Sequence, residues 1–278
     1  LPRKDSGRDS LSAAGAAATT SKDSPIAVFK PADEEIGCDA NPRGNTELDR
    51  MGFEAGEGYK GEILAWTLDY GHFAGVPETV ATNIAGQLGS LQRFIPSTKQ
   101  SWDVTPGRFD VSAVHRIAIF DIRVLNRDRH GGTLLVPSAD PTMLVPIDHS
   151  YILPAGFADP DFEWMEWPQS KVPFSQSELQ YIAKLDAEAD QLVVAKELGE
   201  EVGETIAVTT KVLQFAAARG YTARRIAEFC RRATLTQPSP LELLMAECRD
   251  DSTLSIDLQK VTEFLPQYFP DQGESMGQ

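Results

Sequence analysis

The chain has 278 residues, 41% of them hydrophobic and 24% charged, enough for one large domain or two lobes around a real core. Lys and Arg number 26 against 41 Asp and Glu, a formal charge of −15. That balance argues against nucleic acid as the main partner and gives no bulk attraction to an anionic membrane, so any lipid contact needs a local basic or apolar patch.

Residues 1–24 are rich in Ala, Ser and Thr with scattered charges and read as a disordered lead-in; Asp5, Asp9 and Asp23 weigh against a transit peptide. From Pro25 to Pro31 the alternation predicts a strand, with Ile26, Val28 and Lys30 on one face and Ala27 and Phe29 on the other. Taken alone, Lys30 reads as a solvated edge charge; its functional reading is a lysine that pairs ATP phosphates. Residues 40–58 form a long loop of Gly, Asn, Pro and charged residues. A helix begins at Tyr59, with Ile63, Leu64, Trp66, Thr67 and Tyr70 on a broad apolar face and Glu62 complementing its N-terminus. His72 is expected to be a structural hydrogen-bonding residue. A second helix is predicted over Val111–Val124, with Val114, Ile117, Ala118, Asp121 and Ile122 at helical spacing and His115 serving packing.

The stretch Asp121–Ser150 organises the chain. Leu134–Val136 and Met143–Ile147 are short β-type runs around the turn-rich 137–141, which is a hairpin signal. Asp128 precedes this hairpin and Asp148 follows it, so the two carboxylates can converge. Such a pair suits a hard divalent cation and a transferring phosphoryl group. The bland reading of Asp128 is a surface salt bridge to Arg127 or Arg129, contributing only ~0–1 kcal/mol. Asp148 at a strand end is costly unless a hydrogen-bond network or a metal satisfies it.

Further on, Trp164 and Trp167 suit a packed turn, with membrane-interface insertion the sharper reading. Ser175 and Glu178 form a capping box, and helices are expected near 186–198, 204–219 and 222–233, with Gly220 as a C-cap. Arg219, Arg224, Arg225, Arg231 and Arg232 concentrate positive charge, read as a solvated face or an anionic-lipid contact. Residues 238–278 are acidic, with one helix near Leu241–Cys248 and a frayed tail. Cys38, Cys230 and Cys248, without a Cys-x-x-Cys pair, describe a reduced, cytoplasmic chain rather than a disulfide or zinc framework.

Several strings resemble the phosphatidylinositol 3-/4-kinase family, nearest the type II and plant gamma phosphatidylinositol 4-kinases. They are Val28-Phe-Lys-Pro-Ala-Asp-Glu-Glu35, Gly61-Glu-Ile-Leu-Ala-Trp66, Asp69-Tyr-Gly-His72-Phe-Ala-Gly-Val-Pro77, Ser90-Leu-Gln-Arg-Phe94, Asn126-Arg-Asp-Arg-His130-Gly, Pro146-Ile-Asp-His149 and Phe162-Glu-Trp-Met-Glu-Trp-Pro-Gln169. The resemblance implies an α+β, two-lobed, protein-kinase-like fold: a small β-containing lobe over 25–95, a mainly helical lobe over 96–235 and an acidic extension over 236–278. It implies that Lys30 binds ATP, that Glu62 pairs with Lys30, and that Gln92, Arg93 and Phe94 form the hinge that reads adenine. Asp128, Arg129 and His130 take the catalytic places, and Asp148 that of principal ligand to Mg2+ (or Mn2+). The expected reaction is phosphorylation of the 4-hydroxyl of phosphatidylinositol by a cytoplasmic, peripherally membrane-associated enzyme, with a protein Ser or Thr acceptor as the alternative. Two departures support a third reading, a nucleotide-binding pseudokinase or interaction module. Thr133 stands where the family places the Asn that is its second metal ligand, and is itself the candidate for that ligand here, with Ser150 in place of the family glycine after Pro146-Ile-Asp-His149; and only Gly7 and Gly15 are present upstream where the family has a Gly-rich hairpin.

Overall fold

The alternating segment around Lys30 becomes a strand because a second hairpin lies beside it to take its backbone hydrogen bonds. In the computed structural model, which describes residues 16–18, 25–48, 52–156, 159–234, 236–250 and 252–271, four antiparallel strands form the first sheet. They are β1 (Ala16–Ala18), β2 (Ala27–Pro31), β3 (Thr79–Ile84) and β4 (Gln87–Arg93), in the order β1-β2-β4-β3. Register pairs Lys30 with Ser90 and Thr79 with Gln92. β1 lies within the expected disordered lead-in and adds a strand there; the rest of residues 1–24 fall outside the described residues. The second sheet, β5 (Ser97–Gln100), β6 (Leu134–Pro137) and β7 (Val145–Pro146), contains the expected hairpin, with Leu134 opposite Pro146.

Helix α1 (Gly58–Leu68) packs against β3 and β4. The Glu35 carboxylate accepts from the N–H groups of Gly58 and Tyr59, each at 2.7 Å, and so satisfies two of the donors that a helix start leaves open. Leu64, Ala65 and Leu68 are buried with Phe120, Val124, Ile152, Leu153, Val194, Val202 and Ile206, which ties α1 to the helical lobe. Asp69 ends this element: its carboxylate accepts from the N–H groups of Ala74, Gly75 and Val76 at 2.8–3.0 Å. His72, expected as a hydrogen-bonding residue, instead stacks on Trp66, with ring centroids 4.3 Å apart.

The larger core surrounds α2 (Val111–Arg123), which is buried on more than the one face its spacing predicts. Around it lie α3 (Gln176–Ala183), α4 (Ala187–Leu198), α5 (Glu200–Ala218) and α6 (Ala223–Cys230). The capping box at Ser175 and Glu178 is present, and Gly220 ends α5 in the left-handed region at φ 80°. α5 begins four residues before its expected start, directly after Gly199, and α6 ends at Cys230 rather than Ala233. Gly203 allows close packing of α4 and α5, since a Cβ there would stand 2.7 Å from the Gln191 carbonyl oxygen.

The acidic extension is not a separate frayed tail. α7 (Pro240–Cys248) is followed by α8 (Leu258–Tyr268), and Leu241, Leu244, Val261, Leu265 and Phe269 all enter the helical lobe's core. Four of the five concentrated arginines meet carboxylates, and Arg231 lies against the Met165 sulfur at 3.6 Å. Arg219 meets Asp271, Arg224 meets Glu166 and Glu228, Arg225 meets Glu228, and Arg232 meets Glu242. Trp164 and Trp167 are buried, so the packed-turn reading holds and interface insertion does not.

Candidate active site

The two sheets and α1 border a cleft of about 1170 Å³. Lys30, Glu62, Asp128, His130, Thr133 and Asp148, which lie far apart in sequence, all line it. Lys30 Nζ donates to Glu62 Oε1 at 2.6 Å and to Asp148 Oδ1 at 2.9 Å, so one ammonium joins strand, helix and hairpin. Burial pulls the Lys30 pKa down, but Asp148 and Glu62 outweigh it and hold the group above the ordinary lysine value. Burial alone would push Glu62 up; Lys30, with help from His149, holds it below the carboxylate range. Both groups are therefore charged at neutral pH.

The inner face of β4 backs this pair. Gln92 Nε2 donates to Thr79 Oγ1 at 3.0 Å and to Glu62 Oε2 at 3.4 Å. This corrects the expected hinge. Gln92 and Arg93 are the last residues of a strand, the Arg93 N–H is taken by the Glu78 carbonyl and the Phe94 N–H by the Ile26 carbonyl. Those two N–H groups are committed to the sheet and cannot read a base, and none of the three residues lines the cleft. The connection between the sheets follows Phe94, at Ile95 and Pro96.

Asp148 sits at φ +62°, left-handed backbone that costs a non-Gly residue energy and that clusters at functional sites. The next residue, His149, is fully buried. Its ring meets Phe120 edge-on at 5.7 Å and its Nδ1 lies 3.6 Å from Glu62 Oε2. Burial keeps its pKa below the ordinary histidine value. Ser150, in place of the family glycine, donates to Glu62 Oε1 at 3.4 Å.

On the other wall, the Asn126 side chain accepts from the Asp128 N–H at 2.9 Å and donates to Asp121 at 3.0 Å, which fixes the loop carrying Asp128. His130 Nδ1 accepts from the Gly132 N–H at 3.0 Å. Arg129 does not join the cleft. It is 0% exposed, and its Nε donates to both Asp121 oxygens at 3.0–3.1 Å. Its Nη1 donates to the carbonyls of Thr133 and Ile147 and to Thr133 Oγ1 at 2.9–3.0 Å. Trp164 Nε1 completes the cluster by donating to Asp121 at 3.0 Å. Arg129 is thus a positioning residue, tying the Asp128 loop to Ile147, the residue before Asp148; a group sealed from the cleft cannot touch a substrate. Thr133 is 1% exposed, and its hydroxyl donates to the His130 carbonyl at 2.9 Å while accepting from Arg129.

Sequence reasoning missed Asp121 as the anchor of this cluster, although a carboxylate inside an apolar helical face signals a buried partner. It also missed Gln100, the last residue of β5, and Trp102, in the turn after it, which line the cleft; nothing in their spacing marks them.

A family model described as phosphatidylinositol 3- and 4-kinase matches residues 19–217. Phosphatidylinositol 4-kinase gamma 4 of Arabidopsis thaliana is 35% identical over 258 residues, covering 81% of this chain and 46% of the relative. Phosphatidylinositol 4-kinase gamma 4 of Oryza sativa subsp. japonica is 36% identical over 257 residues, covering 83% and 46%. Phosphatidylinositol 4-kinase gamma 5 of Arabidopsis thaliana is 37% identical over 262 residues, covering 80% and 41%. The chain spans about half the length, or less, of these curated relatives. With the matching family model covering most of its length, and a cleft that gathers Lys30, Glu62, Asp128 and Asp148, the chain belongs to the phosphatidylinositol 3- and 4-kinase family.

Proposed function

We propose that this chain transfers the γ-phosphoryl group of ATP to the 4-hydroxyl of phosphatidylinositol, with magnesium, at the cytoplasmic surface of a membrane that it meets peripherally. The observation that carries the reading is Lys30, held charged between Glu62 and Asp148 in a cleft that Asp128 also lines. Lys30 is supplied as a fixed cation for the ATP phosphates, and Glu62 orients it. Asp128 orients the acceptor hydroxyl and takes its proton. The acceptor oxygen bonds to the γ-phosphorus, the bond from that phosphorus to the β–γ bridging oxygen breaks, and ADP leaves with the electron pair. The proton passes from Asp128 to water. His130, on the same wall, faces the charge spread over the transferring group.

The donor set fits a magnesium ion of the kind that protein grips by one or two carboxylates and substrate phosphates complete. No group of three or more His, Cys, Asp or Glu side chains forms a metal cage among the described residues, and of the two cleft carboxylates on Lys30, Asp148 is the more open, 25% exposed against 1% for Glu62. When bound, the ion would neutralise phosphate charge. Thr133 contributes to it only if its hydroxyl leaves Arg129 and the His130 carbonyl, so the family's second ligand is weak here.

Two specific observations favour second readings. Seven carboxylates line the cleft against the two cations Lys30 and Arg43, a field that suits a basic protein acceptor. The committed Thr133 hydroxyl suits nucleotide binding with little transfer. The deciding experiment follows labelled phosphate from ATP and magnesium into phosphatidylinositol vesicles and into a basic protein, with wild type and Thr133→Asn. The reading expects lipid labelling by wild type. Labelled protein alone moves the acceptor to protein, and transfer only by Thr133→Asn marks the wild type as a nucleotide binder.

A further inference from the structure

Trp102 is 44% exposed, whereas Trp164 and Trp167 are 0% and 4% exposed. A large apolar ring left in water beside a polar cleft calls for a reason, because burying it would be favourable. Its position is built, not incidental. Trp102 lies in a one-turn 3-10 segment, Ser101–Asp103, that is bolted to the loop carrying His130. Gln100 Nε2 donates to the Gly132 carbonyl at 2.9 Å, and Ser101 Oγ to the Gly131 carbonyl at 3.2 Å. The indole itself stacks on the His130 ring, with centroids 5.9 Å and planes 21° apart.

Two glycines make room for it. A Cβ at Gly132 would stand 2.5 Å from Trp102 Cη2 and 2.9 Å from Cζ3, and one at Gly131 would stand 3.0 Å from the Trp102 backbone N and Cβ. The indole is therefore fixed in orientation while much of its surface stays open. Gln100, Trp102, Asp128 and His130 line one cleft, so the open ring shares that space with the residue assigned to the acceptor hydroxyl.

We infer that Trp102 is the acceptor platform and sets acceptor specificity: its open face takes the C–H face of the cyclitol ring of phosphatidylinositol. This rests on the lipid-kinase reading. The π-face of an indole is electron-rich and the C–H bonds of a polyol ring carry partial positive charge, so the faces attract while the hydroxyls at the rim remain free. Asp128 supplies a polar partner for that rim. The headgroup phosphate, on the ring carbon opposite the 4-hydroxyl, stays outside. Asp128 acts on the proton and Trp102 chooses the ring that brings it.

The test uses the full chain as wild type, Trp102→Ala and Trp102→Phe, with magnesium and ATP. Phosphatidylinositol is presented in detergent micelles. The KM for phosphatidylinositol rises about tenfold in Trp102→Ala, in line with the loss of one stacked ring. It returns most of the way in Trp102→Phe, and the KM for ATP moves less than twofold. Independently of turnover, myo-inositol 1-phosphate changes the tryptophan fluorescence of wild type and not of Trp102→Ala. An unmoved lipid KM, or equal losses for lipid and ATP, would overturn the assignment and leave Trp102 as loop support. Loss of binding to vesicles that contain only phosphatidylcholine would overturn it in favour of membrane anchoring. If wild type hydrolyses ATP but labels no lipid, the lipid-kinase reading fails and this inference falls with it; lipid labelling with an unmoved KM sinks this inference alone.

Discussion

Two ion networks flank the same hairpin and differ chiefly in their access to solvent. In one, Lys30 bridges Glu62 and Asp148, with the Lys30 and Asp148 side chains 16% and 25% exposed on a cleft wall. In the other, Arg129 and Asp121 pair at 0% exposure, roofed by Trp164. The chemistry is nearly the same, a cation and carboxylates within 3.1 Å. A ligand can replace Asp148 on Lys30, but nothing can reach Arg129. The open network is suited to exchanging partners during a reaction, and the sealed one to keeping the reacting carboxylates in place.

Mutations should separate the two. Asp148→Asn removes a charge from the open network but leaves the Lys30–Glu62 pair intact. Phosphoryl transfer is expected to fall by roughly 10²–10³-fold or more, with little change in the thermal midpoint. Arg129→Leu strands the Asp121 carboxylate in the core, and the expected loss is about 3–5 kcal/mol of stability in urea unfolding. If Arg129→Leu instead keeps its stability and loses only kcat, the division between the networks is wrong.

The sealed core makes its own demand at the C-terminus. Leu265 is 0% exposed within the helical lobe, so Leu265→Ala is expected to cost about 2–5 kcal/mol. A variant within experimental error of wild type in denaturant would show that α8 is dispensable to the lobe.

These contrasts also explain what the sequence disclosed. The elements that carry Lys30, Glu62 and Asp148 were legible from local signals, an alternating strand, a helix with a broad apolar face and a hairpin end; the Lys30–Glu62 pair itself was legible only through the family resemblance, and the Lys30–Asp148 contact was not foreseen. The sealed network was not read: Asp121 was placed on the apolar spacing of α2 without a partner, and Arg129 was read as catalytic. Residue type and motif cannot report burial, and burial decides which role Arg129 takes. Gln92 was misplaced because its string was read as a hinge; two residues from Ser90 on a period-two strand, it falls on the same face, toward Glu62. α8 was missed although Val261, Leu265 and Phe269 recur every four residues after Asp257, because the acidic composition of the segment hid a narrow apolar stripe. Trp102 had no periodic context at all; its meaning comes from Gly131 and Gly132, far from it in sequence.

The smallest expected effect lies where the open network meets the helix that carries it. Glu35 caps α1 and lines the cleft, and burial raises its pKa from 4.5 to about 7 against the opposing pull of the Gly58 and Tyr59 N–H groups. Its folded-state pKa lies above its unfolded value, so between these limits the folded chain holds more protons than the unfolded chain. The contribution is fully stabilising below about pH 4.5 and is lost as pH rises through about 7. Glu35→Gln keeps an acceptor for the helix N-terminus but cannot titrate. It should therefore flatten the fall in thermal midpoint between pH 4.5 and 7 while leaving α1 in place. Glu35→Ala, which removes the cap as well, should cost about 0.5–2 kcal/mol across that whole range. If Glu35→Gln reproduces the wild-type slope, the carboxyl is not the group that titrates. α1 would then be anchored to the cleft by Glu62 and its apolar face alone.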